Sequence, residues 1–388
     1  MPYNFDQPIE RHGTDSAKWQ HYDDDVIPMW VADMDFRSPE PIIRAMQERV
    51  AHGVFGYAAY SAELIERLCA RLAERYNWTV IPDDIILMPG VISGFNTACR
   101  AFGRPGNQIL LQPPVYFPML AAPKNQGQQG VYAPLQRTDH NGHLHYEIDF
   151  DQFERAITAH TGLFMLCNPH NPVGRSYTPE ELTRMANICA RREVIICSDE
   201  IHCELMLDGQ RHTPIASLGP EIAGRCITLM APSKTFNIPG LAFSFAVVQN
   251  PTLRAQLKQA MAGIVPHVKT LEQVAALAAY RDCDDWLQAL LTYLTANRNY
   301  LLEFVNQKLP GVKTTAPQGT YLAWLDCREA GIEGDPVDFF LEKGRVGLSK
   351  GAVFGPGGEG FVRLNFGCPR SLLAEGLERM RAALVENN

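Results

Sequence analysis

Apolar and polar residues alternate along this chain in two rhythms. Short apolar runs at 85–88, 108–112, 163–167, 194–198, 226–230 and 243–248 read as buried strands. Helical spacing separates several of them, most clearly at 179–192, where Thr178-Pro179-Glu180-Glu181 forms a capping box with proline at the first helical position. This alternation from Ala62 to Val248 predicts right-handed crossovers and an α/β fold with a doubly wound, mostly parallel sheet. Residues 39–52 read as a short helix and 285–309 as a long amphipathic one. Beyond it, 311–388 gives strands, a helix and a terminal helix at 370–385, an α+β order typical of a smaller domain. The first 38 residues are irregular and rich in Pro, Asp and Trp, as in an arm lying across other structure. Gly53-Val54-Phe55-Gly56-Tyr57 is a glycine-punctuated loop carrying two aromatics. The expected division is 1–45 as arm and part of the small domain, 46–284 as the large domain and 285–388 as the C-terminal small domain.

Composition narrows the class. The chain has 388 residues, 46% hydrophobic and 20% charged, enough for a large core in an ordinary globular protein. Its 43 acidic and 35 basic residues give a net charge of −8 without blocks of like charge, which argues against nucleic acid and anionic membrane as partners. The N-terminus lacks a basic stretch followed by an apolar one, and no eighteen apolar residues run together, so a cytoplasmic location is expected. Ten cysteines without a C-x-x-C pair read as reduced core residues. His140, His143 and His145 crowd around Asn141-Gly142, and a hairpin turn explains them better than a metal site; no metal is expected.

Candidate chemistry collects at strand ends. After the apolar run 226–230 comes Ala231-Pro232-Ser233-Lys234-Thr235-Phe236-Asn237-Ile238-Pro239-Gly240. A lysine at the carboxyl end of a buried strand, partly desolvated, is suited to act as an amine nucleophile in a Schiff base. The alternative is a loop lysine in water. Pro89-Gly90-Val91-Ile92 joins a strand to a helix, where free N–H groups favour a phosphate, although such turns are common. Asn168-Pro169-His170-Asn171-Pro172 offers two amides in rigid turns. Asp199, in Ser198-Asp199-Glu200-Ile201-His202, is either a helix cap or a buried anion needing a cationic partner. Tyr116 follows Pro113-Pro114 and is placed to stack on a planar ring or simply to pack. Arg363 sits in the apolar strand Phe361-Val362-Arg363-Leu364-Asn365, with a substrate carboxylate or a protein acid as its partner.

Taken together and in this order, these motifs resemble the fold-type-I pyridoxal-phosphate enzymes of the class I/II aminotransferase superfamily, over nearly the whole chain. Pro28-Met29-Trp30-Val31-Ala32-Asp33-Met34-Asp35-Phe36, His52-Gly53-Val54-Phe55-Gly56-Tyr57 and Gly360-Phe361-Val362-Arg363-Leu364-Asn365 with Gly367-Cys368-Pro369-Arg370 resemble the MalY/PatB branch, the cystathionine β-lyases. The resemblance implies that Lys234 carries pyridoxal 5′-phosphate as an imine and, once displaced by the substrate amine, removes the Cα proton. It implies that Asp199 pairs with the ring nitrogen, that Asn171 and His202 lie near the ring's 3′ oxygen, and that Tyr116 stacks on the ring. Gly90, Val91, Ile92 and Ser233 would hold the phosphate. Arg363 would clamp the substrate's α-carboxylate, with Asn171, Asp33 and Tyr57 as further substrate contacts. Tyr57 would reach the neighbouring active site of a homodimer and take part in catalysis there.

The implied activity is C–S β-elimination from L-cystathionine or a related S-substituted L-cysteine, giving a thiol such as homocysteine, pyruvate and ammonia, within amino-acid metabolism and methionine biosynthesis. Two positions depart from the wider pattern: Ala231 replaces a phosphate-binding serine, and Ala242 replaces an arginine or lysine. An aminotransferase shares every cofactor residue and differs in the fate of the electron pair left at Cα. A non-catalytic protein sequestering a regulator is the third reading, and the joint presence of Lys234, Asp199 and Arg363 argues against it.

Overall fold

The computed structural model describes residues 3–103, 106–140 and 142–387. In chain order its strands are β1 (Ile27–Pro28), β2 (Ile85–Met88), β3 (Gln108–Leu111), β4 (Gln129–Tyr132), β5 (Gln136–His140), β6 (His143–Glu147), β7 (Thr161–Cys167), β8 (Ile195–Asp199), β9 (Cys226–Met230), β10 (Ser244–Val247), β11 (Lys313–Thr314), β12 (Leu322–Asp326), β13 (Val346–Gly347), β14 (Ser349–Lys350) and β15 (Phe361–Asn365). Seven of them form one sheet in the order β2-β10-β9-β8-β7-β3-β4. Its pairings are parallel except for β10, which runs against both β2 and β9. The carboxyl ends of β2, β3, β7, β8 and β9 therefore share one edge.

Both faces of this sheet are covered, as the continuous apolar runs predict. Ile86 and Met88 of β2 join Phe95 of helix Val91–Phe102 in one apolar cluster. Ile85 and Leu87, pointing the other way, join the cluster that contains Leu182 and Met185 of helix Pro179–Arg191. That second helix begins with the expected capping box: Thr178 Oγ1 accepts from Glu181 N at 3.2 Å, and Glu181 Oε2 accepts from Thr178 N at 2.9 Å.

Helix Asp284–Lys308 leads to a four-stranded antiparallel sheet in the order β11-β12-β15-β14. There Arg363 stands opposite Trp324 on β12 and Ser349 on β14. The N-terminal arm joins this part of the molecule through β1, which pairs in parallel with β13. It then runs back toward the large sheet. We propose the three-part division as expected, noting that its boundary at 45/46 falls inside helix Glu40–Ala51, which packs on helix Thr270–Asp282.

The six strands given ranges in the sequence reading are found to within one or two residues, whereas β1 lies in the segment expected to be irregular and no apolar run announced β4. It lies at the sheet edge and is half-buried to exposed, so nothing selects a hydrophobic sequence there. The histidine cluster forms the hairpin β5–β6, with His140 opposite His143; Asn141 lies outside the described residues. All ten cysteines are free, and only Cys69 is not buried.

Candidate active site

β9 ends at Met230, and the buried residues Ala231, Pro232 and Ser233 carry the chain directly to Lys234. The lysine Nζ donates to the carbonyl oxygen of Ala32 at 2.6 Å. Burial in the cleft pulls its pKa down to about 8; the charge of Arg363 adds to the effect, while Asp33 and Asp199 oppose it. A lysine so shifted holds an appreciable share of neutral, nucleophilic amine near neutral pH. The alternative of a loop lysine in water does not describe it.

Asp199 is the last residue of β8 and is 3% exposed. Its Oδ1 accepts from the N–H of Ile201 at 3.2 Å, so it caps the following turn, yet among the described residues no cation forms an ion pair with it. Burial pushes its pKa up to about 7, against that hydrogen bond and the nearby Lys234, and with the adjacent Glu200 adding to the rise. A buried acid without a counter-charge is suited to a ligand that brings a cation.

Arg363 is the mirror case. It is 3% exposed on β15, and among the described residues no acid pairs with it, so the salt-bridge alternative is not what the structure contains. Its Nη1 donates to Asn171 Oδ1 at 3.0 Å, and its Nη2 donates to the Trp30 carbonyl at 2.8 Å and to Ser349 Oγ at 3.1 Å. Nε is buried without a partner. Burial lowers its pKa to about 10, and the guanidinium lies 4.9 Å from the centroid of the Phe354 ring. An anion completes this environment, and a planar carboxylate matches its fork.

A second place suited to an anion follows β2. Helix Val91–Phe102 starts from Gly90, whose φ of 89° requires glycine, and no side chain caps it. The first-turn N–H groups of Val91 and Ile92 therefore have no partner within the helix. A Cβ at Gly90 would stand 3.8 Å from the carbonyl oxygen of Ala242, which brings the second departing position alongside this helix end. Ser233 is buried, and its hydroxyl makes no hydrogen bond among the described residues.

Between these poles lie the groups suited to a ring. Tyr116 is half-buried at the start of helix Phe117–Asn125, and its phenol lies in the field of Arg363 and Asp199. Asn171 is buried in the turn after β7. His202 is buried with Nδ1 unpartnered, and burial, together with Lys234 and Arg363, lowers its pKa to about 3, so it is neutral. An acid lacking a cation, an arginine lacking an anion, an uncapped helix end and a reactive lysine fit a phosphorylated aldehyde with a basic ring nitrogen.

Sequence reasoning took residues 30–34 as part of a family motif and Asp33 as a substrate contact, but did not show that their backbone crosses over the site. Their carbonyls accept from Arg363, Asn365, Lys234, Tyr321 and Asn237. Asn237, three residues beyond Lys234, grips this strap at both ends of Met34: Oδ1 accepts from Met34 N, and Nδ2 donates to Met34 O. The Asn in the lysine motif was the available signal; Tyr321 and Ser349 had none. The Asp33 carboxylate is held by Arg11 at 2.9 Å and lies 3.7 Å from Lys18, so here it anchors the arm. Tyr57 stands apart within one chain, with a relative exposure of 109% and no side-chain hydrogen bond.

The profile of the family described as aminotransferase class I and II matches residues 24–380. Cystathionine beta-lyase PatB of Bacillus subtilis is 40% identical, covering 98% of this chain and 100% of that protein. The crystal structure of OvoB superposes with a TM-score of 0.93 at 44% identity, covering 98% of this chain and 99% of that one. The PLP-bound C-S lyase from Staphylococcus hominis gives a TM-score of 0.92 at 34% identity, covering 99% and 98%. With most of its length matched by the profile and its site assembled at the shared sheet edge, the chain belongs to the aminotransferase class I and II family.

Proposed function

We propose that this protein is a pyridoxal-phosphate-dependent C–S β-lyase, cleaving L-cystathionine or a related S-substituted L-cysteine to a thiol, pyruvate and ammonia. The observation that carries the reading is the meeting of Lys234, Asp199 and Arg363 at one buried place, each lacking the partner that cofactor or substrate would bring, in a chain similar along its length to cystathionine β-lyases. Pyridoxal phosphate, when bound, supplies an electron sink for the bond broken at Cα.

The chain's own residues do the rest. Lys234 would hold the cofactor and would serve as the base for the Cα proton, for which its lowered pKa suits it. Asp199 offers a carboxylate to the ring nitrogen, and Asn171 presents Nδ2 to the ring oxygen because Oδ1 is taken by Arg363. His202, neutral and buried, borders the same oxygen. Tyr116 covers a ring face. Gly90, Val91, Ile92 and Ser233 hold the phosphate by dipoles and a hydroxyl. Arg363 fixes the α-carboxylate, with Asp33 at the margin of the substrate site. The electron pair left at Cα forms the Cα–Cβ double bond while the Cβ–S bonding pair departs on sulfur, a thiolate being a good leaving group because its pKa is low, and the released aminoacrylate takes up water to give pyruvate and ammonia.

A homodimer completes the site in this reading. The loop around Tyr57 exposes Val54, Phe55 and Tyr60 as well, an apolar surface suited to a second copy of the chain. No described helix is long and apolar enough to cross a membrane; a cytoplasmic site of action is part of the proposal. Product analysis with L-cystathionine tests the function. Homocysteine, pyruvate and ammonia in equal amounts without an added keto acid are expected; turnover that depends on a keto acid and releases no thiol would make the protein an aminotransferase.

A further inference from the structure

The strap over the site places one oxygen between two donors. The carbonyl of Ala32 accepts from Lys234 Nζ at 2.6 Å and from the hydroxyl of Tyr321 at 2.9 Å. Tyr321 is 1% exposed and fixed at the entry to β12: its carbonyl accepts from Phe366 N at 2.9 Å, and the next residue, Leu322, pairs with Asn365 of β15. The strap is equally constrained. Asn365 Nδ2 donates to the carbonyls of Val31 and Asp33 at 2.7 and 2.6 Å, and Asn237 holds Met34. On the outer side, buried Lys18 bonds Asp35 at 2.5 Å, and Arg11 and Trp19 reach the other oxygen of that carboxylate at 2.6 and 2.8 Å. Ala32 therefore cannot follow Lys234 when the lysine moves.

We propose that Tyr321 is a positioning residue for Lys234, acting through the Ala32 carbonyl oxygen that the two share. This oxygen has two lone pairs, and both are used. Each donor makes it a poorer acceptor for the other. A carbonyl favours the ammonium form of lysine over the amine, so the Tyr321 hydroxyl, by drawing on the same oxygen, weakens that preference. It thereby keeps more of Lys234 as free amine and leaves it loosely enough held to swing to the substrate. The other charged and titratable groups facing Lys234 are Arg363 from β15, Asp33 from the strap, Asp199 from the end of β8 and His202 from the turn beyond it. None of them bonds the Ala32 oxygen. Sequence spacing could not reveal this relation, since Tyr321 lies far from Lys234 along the chain.

The inference rests on the reading of Lys234 as the cofactor lysine. Its test is the rate at which cofactor-stripped protein recombines with pyridoxal phosphate, followed by absorbance as a function of pH, because only the neutral amine reacts. Losing the Tyr321→Phe hydroxyl should shift the acid limb of this profile to higher pH by about half a unit, the share of a hydrogen bond expressed on the pH scale. Replacing Tyr321 with 3-fluorotyrosine, a stronger donor of nearly the same shape, should shift the limb the opposite way, and this arm suffices if the phenylalanine variant does not fold. Superimposable limbs in wild type and variants, with the adduct on Lys234 in each, overturn this inference alone. Absence of a Lys234 adduct in the wild type overturns the reading of the site as well.

Discussion

Arg363 Nη1 donates to Asn171 Oδ1 at 3.0 Å, joining β15 of the small sheet to the turn behind β7 of the large one. This bond orients the amide and leaves the guanidinium's charge unanswered. Asn171→Asp would supply the missing anion from within. The variant should fold, and its KM for the amino acid should rise by more than about tenfold, since the substrate carboxylate would then compete with a built-in one. Arg363→Ala should lower kcat/KM by about one to two powers of ten per lost charge-assisted contact. Steady-state kinetics check both, and an unchanged KM in Asn171→Asp places the clamp elsewhere.

The buried acid makes an opposite demand on stability. Asp199 has a folded-state pKa of about 7 against an ordinary 3.8, so without cofactor it costs the folded protein nothing below the lower value and its full cost above the higher. Cofactor-free Asp199→Asn should therefore gain on cofactor-free wild type as pH rises from 3.8 through about 7, reaching on the order of 4 kcal/mol. Thermal melts at pH values on either side of this window read the gap. A constant gap at all pH values would mean that the buried carboxyl ionises as it does in the unfolded chain, its burial offset by a cation.

Much of this site was legible because strands buried on both faces announce themselves as apolar runs, and the residue after such a run falls at the ligand edge of the sheet. Lys234, Asp199 and the turn at Gly90 were found in this way. Arg363 stood out as a charge within an apolar strand. The edge strand β4 was not, because its surroundings do not select apolar residues. Tyr321, Ser349 and the carbonyls of residues 30–34 were hidden for another reason: they belong to the site only because the arm pairs with β13 and folds back across it. No local pattern encodes such a long-range return. Tyr57 is a further case, since one chain alone leaves it exposed.

That exposure gives a test of the shared site. If Tyr57 serves the partner's Lys234, dimers mixing Lys234→Ala with a disabling Tyr57→Ala contain one site that has both groups. Co-expressed chains, purified through two different tags so that only mixed dimers remain, should regain up to about half the wild-type activity per dimer, against nearly none for either variant alone. Mixed dimers without recovery would assign Tyr57 to its own chain.

The last prediction concerns the phosphate. The groups proposed to hold the phosphate are neutral: the N–H groups at the start of helix Val91–Phe102 after β2 and the hydroxyl of Ser233 after β9, with the apolar Ala242 beside that helix end. A helix end contributes about 0.3 to 1 kcal/mol toward an anion at an exposed position and more when partly buried, whereas a charge-assisted hydrogen bond adds roughly 1.5 to 3 kcal/mol. Ala242 already adopts a φ of 48°, so a longer side chain there meets the same backbone strain as the alanine does. Ala242→Arg should accordingly tighten cofactor binding by about tenfold or more, measured by absorbance titration of stripped protein. The gain should vanish with pyridoxal, which lacks the phosphate. An equal gain for both ligands would show that the arginine acts on something other than the phosphate, and no gain for either would place the phosphate away from the helix end that Gly90 opens.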